Sequence, residues 1–225
     1  MRTRLRIRNQ LLIFAFTVYT RLSHLLANIH DSSHDFASRR EAEVWTNLKA
    51  GDKNALGFFY TKYLKSLYNY GMKVSRDAGL VEDCIQDLFA DIWQSKAASE
   101  VESVKAYLFK ALKYKIFKKQ RNRLLKNHSG EFPDEMMFEI SHDTFLAEEQ
   151  ENKERVRKVI EALNKLPNRQ REVIYLKIFH ELSYEEVSDI MNINYQVCRN
   201  LMSQAIKALR KILVIITVLA TIPVI

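Results

Sequence analysis

The chain has 225 residues, 47% of them hydrophobic and 28% charged, with five Gly, three Pro, two Cys and a formal net charge of +8. Ordinary apolar content excludes wholesale disorder and collagen-like repeats, and the scarcity of Gly and Pro excludes turn-rich sandwiches and barrels in favour of an all-α fold. Two cysteines, Cys84 and Cys198, cannot form a disulfide framework, so a reduced, cytoplasmic setting fits.

The charge is unevenly distributed. Residues 1–103 carry 14 basic and 12 acidic side chains, residues 104–127 nine basic and none acidic, residues 128–154 nine acidic against Lys153, and residues 155–225 eleven basic against six acidic. Two basic modules joined by an acidic stretch that neither holds predict two helical domains, at 37–127 and 148–212, with a flexible linker at 128–147.

Residues 1–36 form an N-terminal arm. Arg2, Arg4, Arg6 and Arg8 precede the apolar run Leu11 to Tyr19 as in a secretory signal, but no small-x-small cleavage site follows, so an over-extended start or a disordered arm is expected. His30 and His34 have the spacing of a metal pair, but Asp31-Ser32-Ser33 between them reads as loop, and no zinc site is expected.

The helical pattern then begins. Leu56, Phe59, Tyr60, Tyr63, Leu67 and Tyr70 recur at three- and four-residue spacing, with Gly71 near that helix's end. After Gly79, Val81, Cys84, Ile85, Leu88, Phe89 and Ile92 make a second apolar stripe. A third follows the polar loop Ser95 to Ser103, with Val104, Leu108, Ala111, Leu112 and Ile116 facing inward. Three such helices can bury one another's stripes as a bundle.

Beyond the linker, with Gly130 and Pro133, a helix is expected from about Phe145 to Lys165, stopped by Leu166-Pro167. Another begins at Asn168 with Val173, Ile174 and Leu176 inside. Ser183-Tyr184-Glu185-Glu186 has the form of a capping box and opens a short helix containing Val187 and Ile190. Asn192 falls where a turn needs positive φ, and Asn194 can cap a last helix with the stripe Val197, Leu201, Ala205 and Leu209. The tail at 213–225 is apolar but too short to span a bilayer, and docking onto protein is expected.

Three faces are candidates for function. A short capped helix, a tight turn and a longer helix describe a helix-turn-helix over Ser183 to Arg210, with Ser188, small, at the joint. Tyr195, Gln196, Arg199, Asn200 and Ser203 would then face outward, and Arg, Asn and Gln can contact base edges in the major groove. Lys207, Arg210 and Lys211 would add phosphate contacts. An ordinary αα-hairpin with a solvated face is the plain alternative.

The basic helix from Lys105 to Lys126 interleaves cations with Tyr107, Phe109, Tyr114 and Phe117, a combination suited to single-stranded or opened DNA. Its plain alternative is a lysine face over core aromatics. The third face, Asp83, Gln86, Asp87 and Asp91, has no histidine or converging third ligand, so a protein-binding surface is expected rather than a metal or acid–base site. No cofactor, metal, small-molecule substrate or catalytic residue is expected.

These residues resemble a known family. Asp83-Cys84-Ile85-Gln86-Asp87-Leu88-Phe89, with Ile92-Trp93, is similar to the region 2 motif of extracytoplasmic-function sigma factors of the sigma-70 family. Lys105-Ala106-Tyr107-Leu108 and the helix after it resemble that region's promoter-melting and −10 segment. Leu166-Pro167-Asn168-Arg169-Gln170-Arg171-Glu172-Val173 resembles the start of region 4, and Leu182 to Arg210 its helix-turn-helix. The landmarks cover about residues 40–127 and 148–212 in family order.

The resemblance implies a non-enzymatic initiation factor. Asp83, Gln86, Asp87, Phe89 and Trp93 would bind core RNA polymerase. Lys105, Tyr107, Lys110, Lys113, Tyr114, Lys118 and Arg121 would hold the opened −10 strand. Arg171, Asn194, Tyr195, Gln196, Arg199, Asn200, Ser203 and Lys207 would engage the −35 duplex. It also implies promoter DNA and an anti-sigma factor as partners. Tyr114 replaces a usual Asn and Lys118 a frequent acid, so the −10 preference is expected to differ from that of well-known members. Asn192 stands for a common Gly, and Val197-Cys198 for a common Thr-Val. The competing reading is a free-standing helix-turn-helix regulator, which leaves the first bundle unexplained. A membrane-associated adaptor using both apolar ends leaves both basic modules unexplained.

Overall fold

The computed structural model describes residues 32–94, 101–126, 138–140, 157 and 160–219, with side chains from residue 41 except those of Leu124, Lys126 and residues 212–219. The arm to residue 31, most of the linker, the start of the helix expected from Phe145 and the end of the apolar tail lie outside the described residues. Every regular element described is helical: α1 (Ser32–Lys49), α2 (Lys53–Ser75), α3 (Ala78–Gln94), α4 (Val104–Lys126), α5 (Asn168–Ile174), a π-helical turn (Tyr175–Phe179), α6 (Tyr184–Met191) and α7 (Tyr195–Leu219). Because α1 begins at Ser32, the expected arm boundary at 36/37 falls inside a helix. Ser32 and Ser33, read as loop, are its first residues.

The helix ends follow from local chemistry. The Asp52 carboxylate accepts from the Asn54 N–H (2.8 Å) to open α2, and Asp77 accepts from the Leu80 N–H (2.9 Å) to open α3. Gly71 lies about one turn before the end of α2, which closes after Ser75 with Arg76 in the left-handed region. Its role is close packing: a Cβ there would lie 2.6 Å from Val81 Cγ1 on α3.

All six expected stripe residues of α3 are buried, against Phe59, Tyr63, Leu67 and Tyr70 of α2 and Leu108, Leu112 and Ile116 of α4. Each such side chain contributes about 1.5–3 kcal/mol by leaving water. Trp45 of α1 closes one side, edge-on to Phe59 (5.5 Å between ring centroids) and Tyr107 (5.6 Å).

In the second group, the capping box is present, with Ser183 Oγ accepting from the Glu186 N–H and the Glu186 carboxylate accepting from the Ser183 N–H. Asn192 takes φ 51°, and Asn194 caps α7 by accepting from the Val197 N–H (2.7 Å). The inner stripe of α7 keeps Ala205 from the expected one but otherwise runs through Cys198 and Met202, whereas Val197, Leu201 and Leu209 are half-buried at its margins.

The two groups are packed together, with α4 against α6. One continuous core joins Tyr70 and Phe109 of the first to Tyr175 and Leu176 of the second. The acidic stretch was expected to be held by neither group, yet at 138–140 both hold it. Phe138 is buried between the rings of Tyr70 (6.1 Å) and Tyr175 (5.4 Å). The Ile140 N–H and C=O bond the Asn164 side-chain amide (3.0 and 2.9 Å), and Glu139 pairs with Arg76. Apolar Phe138 and Ile140 outweigh the surrounding acids because their burial offsets the ordering of three residues.

Candidate nucleic-acid interface

Helix α4 presents its cations in three directions. Lys115, Lys119 and Arg123, spaced four apart, turn to the acids before and on α3: Lys115 to Asp91 (2.5 Å), Lys119 to Asp87 (2.7 Å) and Asp83 (3.9 Å), Arg123 to Asp77 (2.7 Å). Lys105, Lys110 and Lys113 turn to the second group, where their acceptors are the His180 carbonyl, Asp189 (2.5 Å) and Glu172 (2.7 Å). Lys118 and Arg121 point outward with Tyr114, Phe117 and Leu125. Residues 114, 117, 118, 121 and 125 form one helical stripe, so aromatic faces and cations alternate along an exposed ridge. That ridge can stack bases and neutralise phosphates.

Of the aromatics read as stacking platforms, Tyr114 (64% exposed) and Phe117 (43%) are available. Phe109 is fully buried, its ring 4.6 Å from that of His180, and Tyr107 is half-buried against Trp45. These two belong to packing, as the plain alternative held. An open groove of about 590 Å³ runs beside the ridge, lined by Lys110, Lys113, Tyr114, Phe117, Arg169 and Asn192 among others.

On the acidic face of α3, Asp83, Gln86 and Asp87 are exposed, and the hydrogen bond from Lys119 holds the Asp87 carboxyl below its ordinary range. Phe89 is not on this face; it is buried, edge-on to Tyr60 at 5.1 Å. Trp93 is half-buried beside the same core.

At the start of α7, Tyr195, Gln196, Arg199, Asn200 and Ser203 are exposed together, with Lys207 one turn further on. Gln196 donates to Asn200 (3.0 Å), and the Arg199 guanidinium lies 5.8 Å from the Tyr195 ring centroid and 6.0 Å from that of Tyr184. These contacts limit the rotamers of three side chains that can read base edges. Arg171 does not join them. It is half-buried and donates to the Asn164 carbonyl (3.0 Å) and the Asn168 side chain, tying the corner before α5.

A polar cluster that the sequence did not reveal lies between the groups. Glu172 is buried and accepts from Tyr70 Oη (2.7 Å) and Lys113 Nζ (2.7 Å). Burial, then the Glu172 carboxylate, pushes the Tyr70 phenol well above its ordinary pKa. His180 is buried between Phe109 and Tyr175, and burial, with Lys105 and Lys73 nearby, holds it down to about 3. Burial also lowers Lys105. The available signal was a Glu placed directly before the apolar run Val173-Ile174-Tyr175-Leu176.

Among the described residues, no helix is long and apolar enough to cross a membrane, and no His, Cys, Asp and Glu cluster could hold a metal ion.

Comparison with known proteins fits this geometry. Residues 157–209 match the family model for sigma-70, region 4. The chain is 25% identical over 171 residues to the ECF RNA polymerase sigma factor SigK of Mycobacterium ulcerans, covering 72% of this chain and 88% of that protein. It is 25% identical over 169 residues to SigK of Mycolicibacterium vanbaalenii, covering 72% and 83%. In fold it is similar to CnrH, solved in complex with the cytosolic domain of CnrY, with a TM-score of 0.52 at 17% identity over 77% of this chain and 96% of that one. The chain is thus similar over most of its length to extracytoplasmic-function sigma factors, and its second helical group matches sigma-70 region 4.

Proposed function

We propose that the chain binds core RNA polymerase through the exposed acidic face of α3, directs it to promoters and holds the melted −10 strand. The first helical group acts as region 2 and the second as region 4. The strand lies along the outward ridge of α4, with bases against Tyr114 and Phe117 and phosphates near Lys118 and Arg121. The −35 duplex receives the start of α7, where Gln196, Arg199 and Asn200 meet base edges and Lys207 meets phosphate. Nucleotidyl transfer belongs to the polymerase. An anti-sigma partner and a cytoplasmic location are part of this reading.

The observation that supports this reading is that one chain exposes both an aromatic–cationic ridge on α4 and a polar face at the start of α7, the second helix of a helix-turn-helix. A free-standing regulator has use for only the second. Affinity capture with core polymerase tests the assignment of α3. Wild-type chain should be retained, and Gln86→Lys, at an exposed site where stability changes are about 0.5 kcal/mol or less, should not be. Equal retention of both would overturn the polymerase-binding face.

A further inference from the structure

Tyr184 is the first residue of α6 and lies outside the row of α7 side chains read as facing the −35 duplex. Its ring nevertheless reaches that row. Tyr184 and Tyr195 meet edge to face, with centroids 6.1 Å apart and ring planes at 80°. The Arg199 guanidinium is close to both, 6.0 Å from the Tyr184 centroid and 5.8 Å from that of Tyr195. Both rings open a capped helix. The Ser183–Glu186 capping box fixes the backbone at Tyr184, and the Asn194 side chain does so at Tyr195.

The two rings differ in what holds them. Tyr195 and Arg199 are four apart on one exposed helix face, so their contact fixes each only relative to the other. Tyr184 is half-buried and belongs to a different helix. A second cation, Lys177, has its Nζ 4.7 Å from the Tyr184 centroid and donates to the Leu182 carbonyl at 2.7 Å. A lysine anchored to the backbone in this way leaves the ring little room to swing. Tyr184 is therefore the wall that refers Arg199 to the frame of the domain.

From this geometry we infer that Tyr184 is a positioning residue for −35 reading, whose ring sets the Arg199 guanidinium in one orientation before DNA arrives. The inference rests on the reading of Arg199 as a base-contacting side chain. A guanidinium discriminates between bases only when its planar fork is presented to one base edge. A freely rotating arginine meets phosphates and neighbouring bases as well. Ordering one rotamer-rich side chain in advance changes affinity by about two- to tenfold. That gain falls on the matched base, because a mismatched base offers the held fork no second bond. Tyr184 itself needs no contact with DNA for this.

The test compares holoenzymes assembled with full-length chains, titrated at fixed salt against promoter fragments carrying each of the four bases at every −35 position. Arg199→Ala identifies the position that Arg199 reads. Tyr184→Leu should lose about two- to tenfold of the preference at that position and leave the others unchanged. Tyr184→Phe keeps the ring and should keep the preference. In the Arg199→Ala background, Tyr184→Leu should cost nothing further, since the ring has nothing left to hold.

Unaltered preference in Tyr184→Leu, with Arg199→Ala effective, overturns the positioning role alone. An equal loss at all −35 positions overturns it too, since a loosened helix-turn-helix behaves in that way. So does a loss that adds to that of Arg199→Ala, or one as large in Tyr184→Phe as in Tyr184→Leu. If Arg199→Ala changes preference at no position, the base-reading role of Arg199 fails and the positioning role falls with it. Should Tyr184→Leu fail to fold, Tyr184→Met supplies a flexible apolar filler without a ring, and the same outcomes apply.

Discussion

The Tyr70 hydroxyl offers a sharp probe of the packing between the two groups, because Tyr70→Phe removes one oxygen and keeps the ring. That ring is fully buried, near-parallel to Tyr175 at 6.4 Å and tilted against Phe109 at 5.1 Å, so no cavity opens beyond the volume of the oxygen. What is lost is one 2.7 Å hydrogen bond to the Glu172 carboxylate, which keeps its Lys113 partner. Hydrogen bonds to charged groups contribute about 1.5–3 kcal/mol, and the retained lysine softens the loss to about 1–2 kcal/mol. In a chain of this size each kcal/mol moves the melting midpoint by about 2–4 °C, so a fall of about 2–8 °C is expected by circular dichroism. Tyr63→Phe is the comparison. Its hydroxyl donates to both Glu41 oxygens (2.8 Å each) wholly within the first group, so it should lower stability without expanding the chain in scattering. A Tyr70→Phe midpoint within about 1 °C of wild type would refute the buried bond.

Further outcomes follow from the faces of α4 and α7. Lys118→Ala and Arg121→Ala should each reduce the slope of log affinity against log salt by about one for strand binding by the holoenzyme, whereas Lys115→Ala should leave it unchanged; titrations at several salt concentrations check this. Arg199→Ala and Gln196→Ala should relax −35 preference by about 1–3 kcal/mol at the bases they read, measured by selection from a randomised −35 library with holoenzyme. His180 is neutral when folded, with its pKa held down to about 3 against an ordinary 6.5. The unfolded chain therefore binds a proton that the folded chain does not as pH falls below 6.5, and stability should drop by about 1.4 kcal/mol per pH unit well below that point. His180→Leu should flatten the melting profile between pH 6.5 and 5, and an unchanged slope would contradict the neutral buried ring.

Much of the fold was legible because its determinants are local. The Ser183 capping box, the left-handed Asn192 and the α3 stripe depend on residues within a few positions of one another. The outward residues of α7 follow from the same periodicity. What the sequence concealed depends on partners far along the chain. Phe109 looks like a stacking platform until His180, 71 positions later, covers it. Gly71 sits near a helix end, but it is Val81, on the next helix, that explains it. A run of nine cations cannot announce which neighbours claim which members; α3 claims one row and region 4 another. Phe138 and Ile140 sit in an acidic stretch whose composition says linker, and only the pocket between Tyr70 and Tyr175 makes them structural.

The central claim is that this chain reads promoters as part of a polymerase and not alone. A mobility-shift titration on a promoter fragment selected with the holoenzyme, with and without core polymerase at fixed salt, tests it directly. Weak binding with little sequence preference is expected of the free chain, and a specific complex protected at both −35 and −10 only when core is present. Tight, sequence-specific binding by the free chain, with half-sites about one helical turn apart, would contradict it.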